Sequence, residues 1–348
     1  MIIKFEELPT NIEALEKEWQ ALHNFPPGLM LYHFTSPEGL VGIIKSGSIW
    51  ATLATDLDDA LELKHARPCS RENEPSPDAW QQPWWQALGA NYRFDPILES
   101  VEAWRCIKGP FVISFCRCCP LEMRSSEYMW EEYAEKGKGF ALGIRVGRCE
   151  GPTATAGALL RKVEYDKAQQ EQRRKRIAQL NRHVEAFRKV LLKAIQIDAQ
   201  RLPNGCTDPG IVARRLREMD GIEVLQARLH RMALELAACA KDVGFSSEQE
   251  MRLLVYQVEH PLKRESSEGK EISYIEVPVR NLTAESTRAT QCPVRLELEE
   301  IVVGPAAADA RKLEEVVDQI ADRQVISGTG LPAVRIRHCQ RTPTACSL

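Results

Sequence analysis

One stretch constrains the fold more than any other: Met129-Trp-Glu-Glu-Tyr-Ala-Glu-Lys-Gly-Lys-Gly-Phe-Ala-Leu-Gly-Ile144. Trp130 and Tyr133 are three residues apart and share one face of a short helix. Gly137 and Gly139 then end that helix and allow the chain to reverse. Phe140, Leu142 and Ile144 alternate with small residues, the pattern of a strand with a buried face. A helix, a glycine turn and a strand in so few residues require a sheet for the strand to join and a layer for the helix to cover.

The rest of the chain supplies that sheet. Strands are expected at Leu29–Thr35, Ile49–Thr52, Pro110–Cys116, Lys162–Tyr165, Glu250–Tyr256, Ile272–Val277, Glu300–Gly304 and Ala333–Arg337. Ser36-Pro37-Glu38 caps a helix over Glu38–Lys45, which Gly47 ends. A lead-in helix, Ile12–His23, is closed by Pro26-Pro27-Gly28. A helix over Ala306–Asp322 between two strands implies a crossover near the C-terminus. Two long helical patterns, Lys167–Gln200 and Ile211–Val243, flank the turn signal Pro203-Asn204-Gly205 and read as an antiparallel hairpin. Ile177, Leu180, Val184, Phe187, Leu191 and Ile195 form its apolar stripe. The expected fold is therefore α+β: a curved mixed sheet with flanking helices and an inserted long helical hairpin. Its parts are a lead-in at 1–28, an α+β domain at 29–165 and 245–343, and the hairpin at 166–244.

Charge and cysteine usage exclude some classes. The net charge of −3 gives no global reason for a polyanionic partner. Residues 161–201 differ, with 12 Lys/Arg against 5 Asp/Glu, so the hairpin is the place where a nucleic-acid or protein target would bind. No apolar run reaches the roughly 18 residues of a membrane span, and the first residues lack the features of a signal peptide, so a cytoplasmic protein without membrane contact is expected. Eleven cysteines are present, an odd count, and Cys116, Cys118 and Cys119 make a single C-x-C-C run with no second closely spaced cysteine pair to complete a structural metal site. Reduced thiols, no disulfide and no metal site are expected. Residues 66–104 contain five prolines and four of the seven tryptophans, Trp80, Trp84, Trp85 and Trp104. They read either as an irregular insertion or as a lid over a flat ligand.

In chain order, Tyr32-His33-Phe34-Thr35, Leu40–Trp50, Ile113-Ser-Phe-Cys116, Met129-Trp-Glu-Glu-Tyr133 with Gly139, Phe245–Arg252, Ile301-Val-Val-Gly-Pro305 and Val334–Cys339 form a series. It resembles the bacterial domain-of-unknown-function family numbered 2971, over about residues 29–343. Tyr-His-Phe-Thr followed by a helix ending at Gly47 also resembles the opening of ADP-ribosyltransferase folds. That second resemblance implies His33 and Thr35 on the first strand, Ser114 on a later strand and Glu250 opening a still later one. His33 would hold the nicotinamide ribose. Glu250 would bind a ribose hydroxyl and stabilise the oxocarbenium-like state as nicotinamide leaves. Glu248 and Glu250 are expected on one face of one strand, where paired acids can raise one pKa. Trp130, Tyr133 and Arg252 complete the candidate nucleotide site.

The function implied is NAD-dependent ADP-ribosyl transfer or NAD hydrolysis, in a bacterial toxin or phage-defence setting, with a nucleotide as small-molecule partner. The alternative is a non-enzymatic protein- or nucleic-acid-binding module of a defence system. A third reading, a hydrolase using a cysteine of Cys116–Cys119, has no base at a diagnostic spacing.

Overall fold

The structure, a computed structural model, describes residues 7–22, 28–57, 110–147, 158–201, 209–256, 262–265, 271–279, 282, 295–307 and 334–339. The tryptophan-rich 66–104 segment and the expected helix at 306–322 lie outside these residues, apart from Ala306 and Ala307 at the helix's start. The described residues divide between two compact units, one holding residues 7–22 and 164–242, the other 28–57, 110–163 and 243–339.

The first unit is helical. It contains α1 (Leu8–Leu22), α4 (Lys167–Arg201) and α5 (Pro209–Ala238). The apolar stripe predicted for the hairpin is buried at Ile177, Leu180 and Val184, which pack with Ile222, Leu225 and Leu229 of α5 and with Leu8, Ile12, Leu15 and Trp19 of α1. The lead-in helix thus belongs with the hairpin. Trp19 fixes the arrangement, its indole Nε1 donating to Glu235 Oε2 at 2.8 Å and its ring lying under the Arg173 guanidinium. Among the described residues no helix is long and apolar enough to cross a membrane.

The second unit is a mixed sheet of ten strands: β1 (Met30–Thr35), β2 (Ser48–Leu53), β3 (Phe111–Cys116), β4 (Phe140–Gly147), β5 (Ala158–Lys162), β6 (Glu250–Val255), β7 (Leu262–Glu265), β8 (Glu271–Pro278), β9 (Arg295–Val303) and β10 (Arg335–His338). With its helices α2 (Pro37–Ser46) and α3 (Met123–Tyr133) it is an α+β structure. Among the described strands every pair is antiparallel except β9–β10, which is parallel. The strand expected at Lys162–Tyr165 ends at Lys162, and Glu164 instead makes an isolated bridge to Ala240.

Strand β3 is the branch point. One edge pairs along its whole length with β6. The other is divided: β1 meets it at Cys116, and β2 meets it at Val112 and Phe111. One arm of the sheet continues through β1, β4, β9 and β10, the other through β2, β8 and β7, and a bridge between Val279 and Leu296 joins them again. Leu31, Ile113, Phe115, Leu142, Met251 and Leu253 fill the larger core on one face.

Local chemistry explains the two short helices. Ser36 Oγ accepts from the Gly39 amide at 3.0 Å, Pro37 starts α2, and Gly47 closes it at φ +68°. After α3, Glu135, Lys136 and Gly137 are all left-handed, so the reversal expected of two glycines is shared with two non-glycine residues. The loop is pinned by Gly137 N–H to Trp130 C=O and Gly139 N–H to Ala134 C=O, both 2.9 Å. Gly304 and Ala306 amides then donate to the Gly139 and Gly137 carbonyls. A Cβ on Gly139 would overlap the Thr35 carbonyl oxygen, which is backbone and cannot swing away. Gly139→Ala is therefore expected to destabilise this unit by about 1–3 kcal/mol or more. Denaturant unfolding checks it, and a midpoint equal to wild type would contradict it.

Candidate functional site

Registered partners on neighbouring strands present side chains to the same face. On the face opposite the larger core, Ser114 of β3 is in register with Arg252 of β6 and through it with Arg161 of β5. Cys116 is in register with Glu250 on one side and Tyr32 on the other. Phe34, Met129, Trp130 and Cys118 make the small apolar cluster beside this row. Helix α3 brings Tyr133 to it.

The row is built of buried charge. Glu250 is 4% exposed and Arg252 3% exposed. They form a two-pronged pair, Arg252 Nε donating to Glu250 Oε1 at 2.8 Å and a terminal nitrogen to Oε2 at 3.1 Å. Glu248 is 1% exposed and accepts the Tyr133 hydroxyl at 2.9 Å. Tyr133 is 43% exposed and Ser114 is also exposed, so polar chemistry buried at the sheet reaches solvent through a phenol and a hydroxyl. Burying two carboxylates and two guanidiniums is costly unless the groups satisfy one another, which makes the cluster a strong constraint on local geometry.

The two acids do not share one face of a strand, as their spacing suggested. Glu248 ends a 3₁₀ helix, Val243–Glu248, and Gln249 is left-handed at φ +46° before β6 opens at Glu250. The 3₁₀ turn closes with Gln249 N–H on Ser246 C=O, and strand pairing begins only where Glu250 meets Cys116. A non-glycine residue in this conformation between two buried acids stores local strain.

The other predicted site residues separate. His33 projects to the opposite face: its ring lies edge-on to Phe115 of the larger core at 6.1 Å. It touches Ser114 through the backbone, Nδ1 donating to the Ser114 carbonyl at 3.0 Å, and not through the hydroxyl. Thr35 follows on His33's face and packs where α2 begins, its hydroxyl filling the space a Cβ on Gly39 would need. Trp130 is a core residue, 2% exposed, stacked edge-on against Phe34 at 4.9 Å with its Nε1 donating to the Pro120 carbonyl. The structure thus brings Ser114, Glu250 and Arg252 to one face, with Tyr133 bonded to Glu248 at the turn that opens β6, and leaves His33 and Thr35 on the other.

Burial lowers the His33 pKa, only partly opposed by the Ser114 carbonyl. A histidine whose folded pKa lies below its unfolded value of about 6.5 binds protons more readily unfolded, so stability falls as pH drops below about 6.5. Unfolding midpoints at pH 7.5 and pH 5.5 are expected to differ less in His33→Leu than in wild type. Equal pH dependence would show that His33 does not titrate on unfolding.

Two features escaped the sequence reading. Tyr32 donates its hydroxyl to Glu300 at 2.8 Å, over Gly143, whose missing side chain leaves room for the Glu300 methylenes. Glu300 is buried, its second oxygen 3.1 Å from Arg337 Nε, and burial together with Glu300 pushes the Tyr32 pKa up. The signal was the alternation Leu296-Glu297-Leu298-Glu299-Glu300 running into a strand, with Glu300 breaking the polar-out pattern. Second, Cys116 and Cys118 form a disulfide, Cα atoms 5.5 Å apart, against the expectation of reduced thiols. Strand β3 ends at Cys116 and the chain bends, so a two-residue spacing reaches the normal disulfide range. Among the described residues, Cys119 and Cys339 are free thiols. Among the described residues, no group of three or more His, Cys, Asp or Glu is arranged to hold a metal ion.

No curated protein and no solved structure matches the chain. A family model described as "Protein of unknown function (DUF2971)" matches residues 129–253. That segment is similar to the family from Trp130 and Tyr133 on α3 through Arg161 to Glu248, Glu250 and Arg252, so five of the charged and phenolic groups of the candidate site fall inside it.

Proposed function

We propose that the protein cleaves the bond between nicotinamide and ribose in NAD, passing the ADP-ribosyl group to water or to an acceptor. The observation that supports this reading is a cluster of two buried carboxylates and a buried arginine that meets solvent through Ser114 and Tyr133. A positive sugar intermediate needs a carboxylate held close and shielded from water, since the interaction strengthens as water is excluded. Glu250 is that group. Both its oxygens are taken by Arg252, so the ligand must first draw the guanidinium away. A pyrophosphate does this naturally, because arginine matches its oxygens in the same two-pronged geometry. Arg252 then holds the phosphates while Glu250 is released to face the ribose. Tyr133, tethered to Glu248, supplies a hydroxyl at the mouth for the ribose or the nicotinamide amide.

His33 takes no part, because it lies on the other face. The test is nicotinamide release from NAD and from nicotinamide riboside by the purified protein. Turnover of NAD with little turnover of the riboside is expected, because the riboside lacks the phosphates that unlock Glu250. Equal turnover of both would remove Arg252 from the mechanism, and release from neither would remove the reading itself.

A further inference from the structure

We propose that the solvent face of α4 binds the sugar–phosphate backbone of a nucleic-acid duplex. This inference stands apart from the NAD reading and rests on the helical unit alone. The exposed positions of α4 include Gln172, Lys175, Gln179, Arg182, Ala186, Lys189, Lys193 and Gln196. They recur at steps of three and four, so they form one row along the helix. The row contains four cations, three glutamines and no acid. Between Lys175 and Lys193 it extends about 27 Å.

The neighbouring carboxylates are turned away from most of it. Glu185 accepts from the Gln226 amide of α5. Glu171 lies 3.6 Å from Arg174 and 3.4 Å from Lys175, so it engages only the first cation of the row. Arg182, Lys189 and Lys193 have no ion pair with a described carboxylate. An unneutralised row of this kind is unfavourable alone, through self-repulsion, and gains most from a regular array of negative charge. The protein as a whole is at −3, so the cation excess of residues 161–201 is a local feature and not a consequence of a basic chain.

The spacing suits a duplex. Arg182 to Lys189 rises about 10.5 Å and Lys189 to Lys193 about 6 Å. Successive phosphates of one strand advance about 3.4 Å along the axis, so the cations meet phosphates three and then two steps apart. Gln179, between Lys175 and Arg182, and Gln172 and Gln196 at the ends of the row can donate to phosphate and sugar oxygens. A membrane surface fits less well. An interfacial helix needs a free apolar face beneath its charges, and the apolar stripe of α4 is buried against α1 and α5. The exposed apolar residues Val190, Leu192 and Ile197 sit toward one end and make no such face.

The experiment is fluorescence anisotropy with a labelled 20-base-pair duplex, as DNA and as RNA, over 50–200 mM salt. Three phosphate contacts predict a slope of log K against log salt near −2.7, and about a 40-fold loss of affinity across that range. Arg182→Glu/Lys189→Glu should reduce the slope to about −0.9 and weaken binding at every salt concentration. Lys17→Glu/Lys138→Glu, which makes the same change of net charge elsewhere, should leave the slope near wild type. If the reversal variant unfolds, Arg182→Gln/Lys189→Gln gives the same slope change with uncharged helix formers. Binding of either duplex with these slopes supports the proposal, and the DNA and RNA arms identify the source of the phosphates. No binding to either duplex, a slope unchanged by the row variants, or binding only to phosphatidylserine vesicles would overturn it. NAD turnover is untouched by any of these outcomes.

Discussion

Glu250→Gln is expected to slow nicotinamide release by on the order of 10²-fold or more. The substitution keeps the size of the side chain and one oxygen acceptor, and removes the negative charge that opposes the developing ribosyl cation. It also removes the counter-charge of Arg252, which is 3% exposed and in register with a second buried arginine, Arg161. Some loss of stability must therefore accompany the loss of rate. The two separate by measuring turnover at temperatures well below the unfolding midpoint of each variant. Glu248→Gln keeps the Arg252 pair intact and changes only the acceptor of the Tyr133 hydroxyl, so its effect on rate should be smaller. Wild-type turnover in Glu250→Gln, under conditions where it is folded, would exclude a catalytic role for this residue. Absence of nicotinamide release by wild type would withdraw the NAD reading altogether, and the nucleic-acid surface would then be the better guide to what the chain does.

The fold was legible where periodicity and punctuation agree. Helix α2 could be placed between Ser36 and Gly47 because the cap, the proline and the left-handed glycine are local chemistry. The hairpin could be placed because its apolar stripe runs for many turns. Residues that fix long-range pairing were legible only as motifs. Gly139 and Gly304 are singled out in the sequence, yet nothing local shows that their backbones hydrogen-bond each other or that Gly139 makes room for Thr35. The site was half legible for the same reason. Motif order put His33 and Glu250 on neighbouring strands, but β1 and β6 lie on opposite edges of β3, whose Ser114 stands between them. Order along a chain carries no information on which face a side chain takes. That depends on register, and in a strand a shift of one residue reverses the face. Tyr32 is opposite Cys116, so Tyr32 and not His33 looks toward Glu250's side of the sheet. Likewise Glu-x-Glu implies one face only if both residues lie in the strand, and the left-handed Gln249 breaks that condition.

The buried pair itself gives the largest expected effect on stability. Arg252→Met is expected to destabilise the sheet unit by about 3–5 kcal/mol, because the methionine fills the space of the side chain stem but leaves the Glu250 carboxylate buried without its two donors. Replacing both partners is a different experiment. In Arg252→Met/Glu250→Leu no charge of the pair remains to be satisfied, and pairs of this kind exchanged for apolar residues are often neutral or even stabilising. The double variant is therefore expected to recover most of the stability lost in Arg252→Met, with the remainder set by how Arg161, in register with position 252, accommodates the change. Denaturant unfolding of wild type, the two single variants and the double completes the cycle, and the coupling isolates the pair. Additive losses would mean that Glu250 and Arg252 are each satisfied by other groups, and that the two-pronged contact does not hold the site closed. Strong coupling with full stability but no turnover in the double variant is the outcome the proposed mechanism requires. It would show that the pair is retained at a cost to stability that packing alone could avoid, the expected signature of charges kept for a ligand.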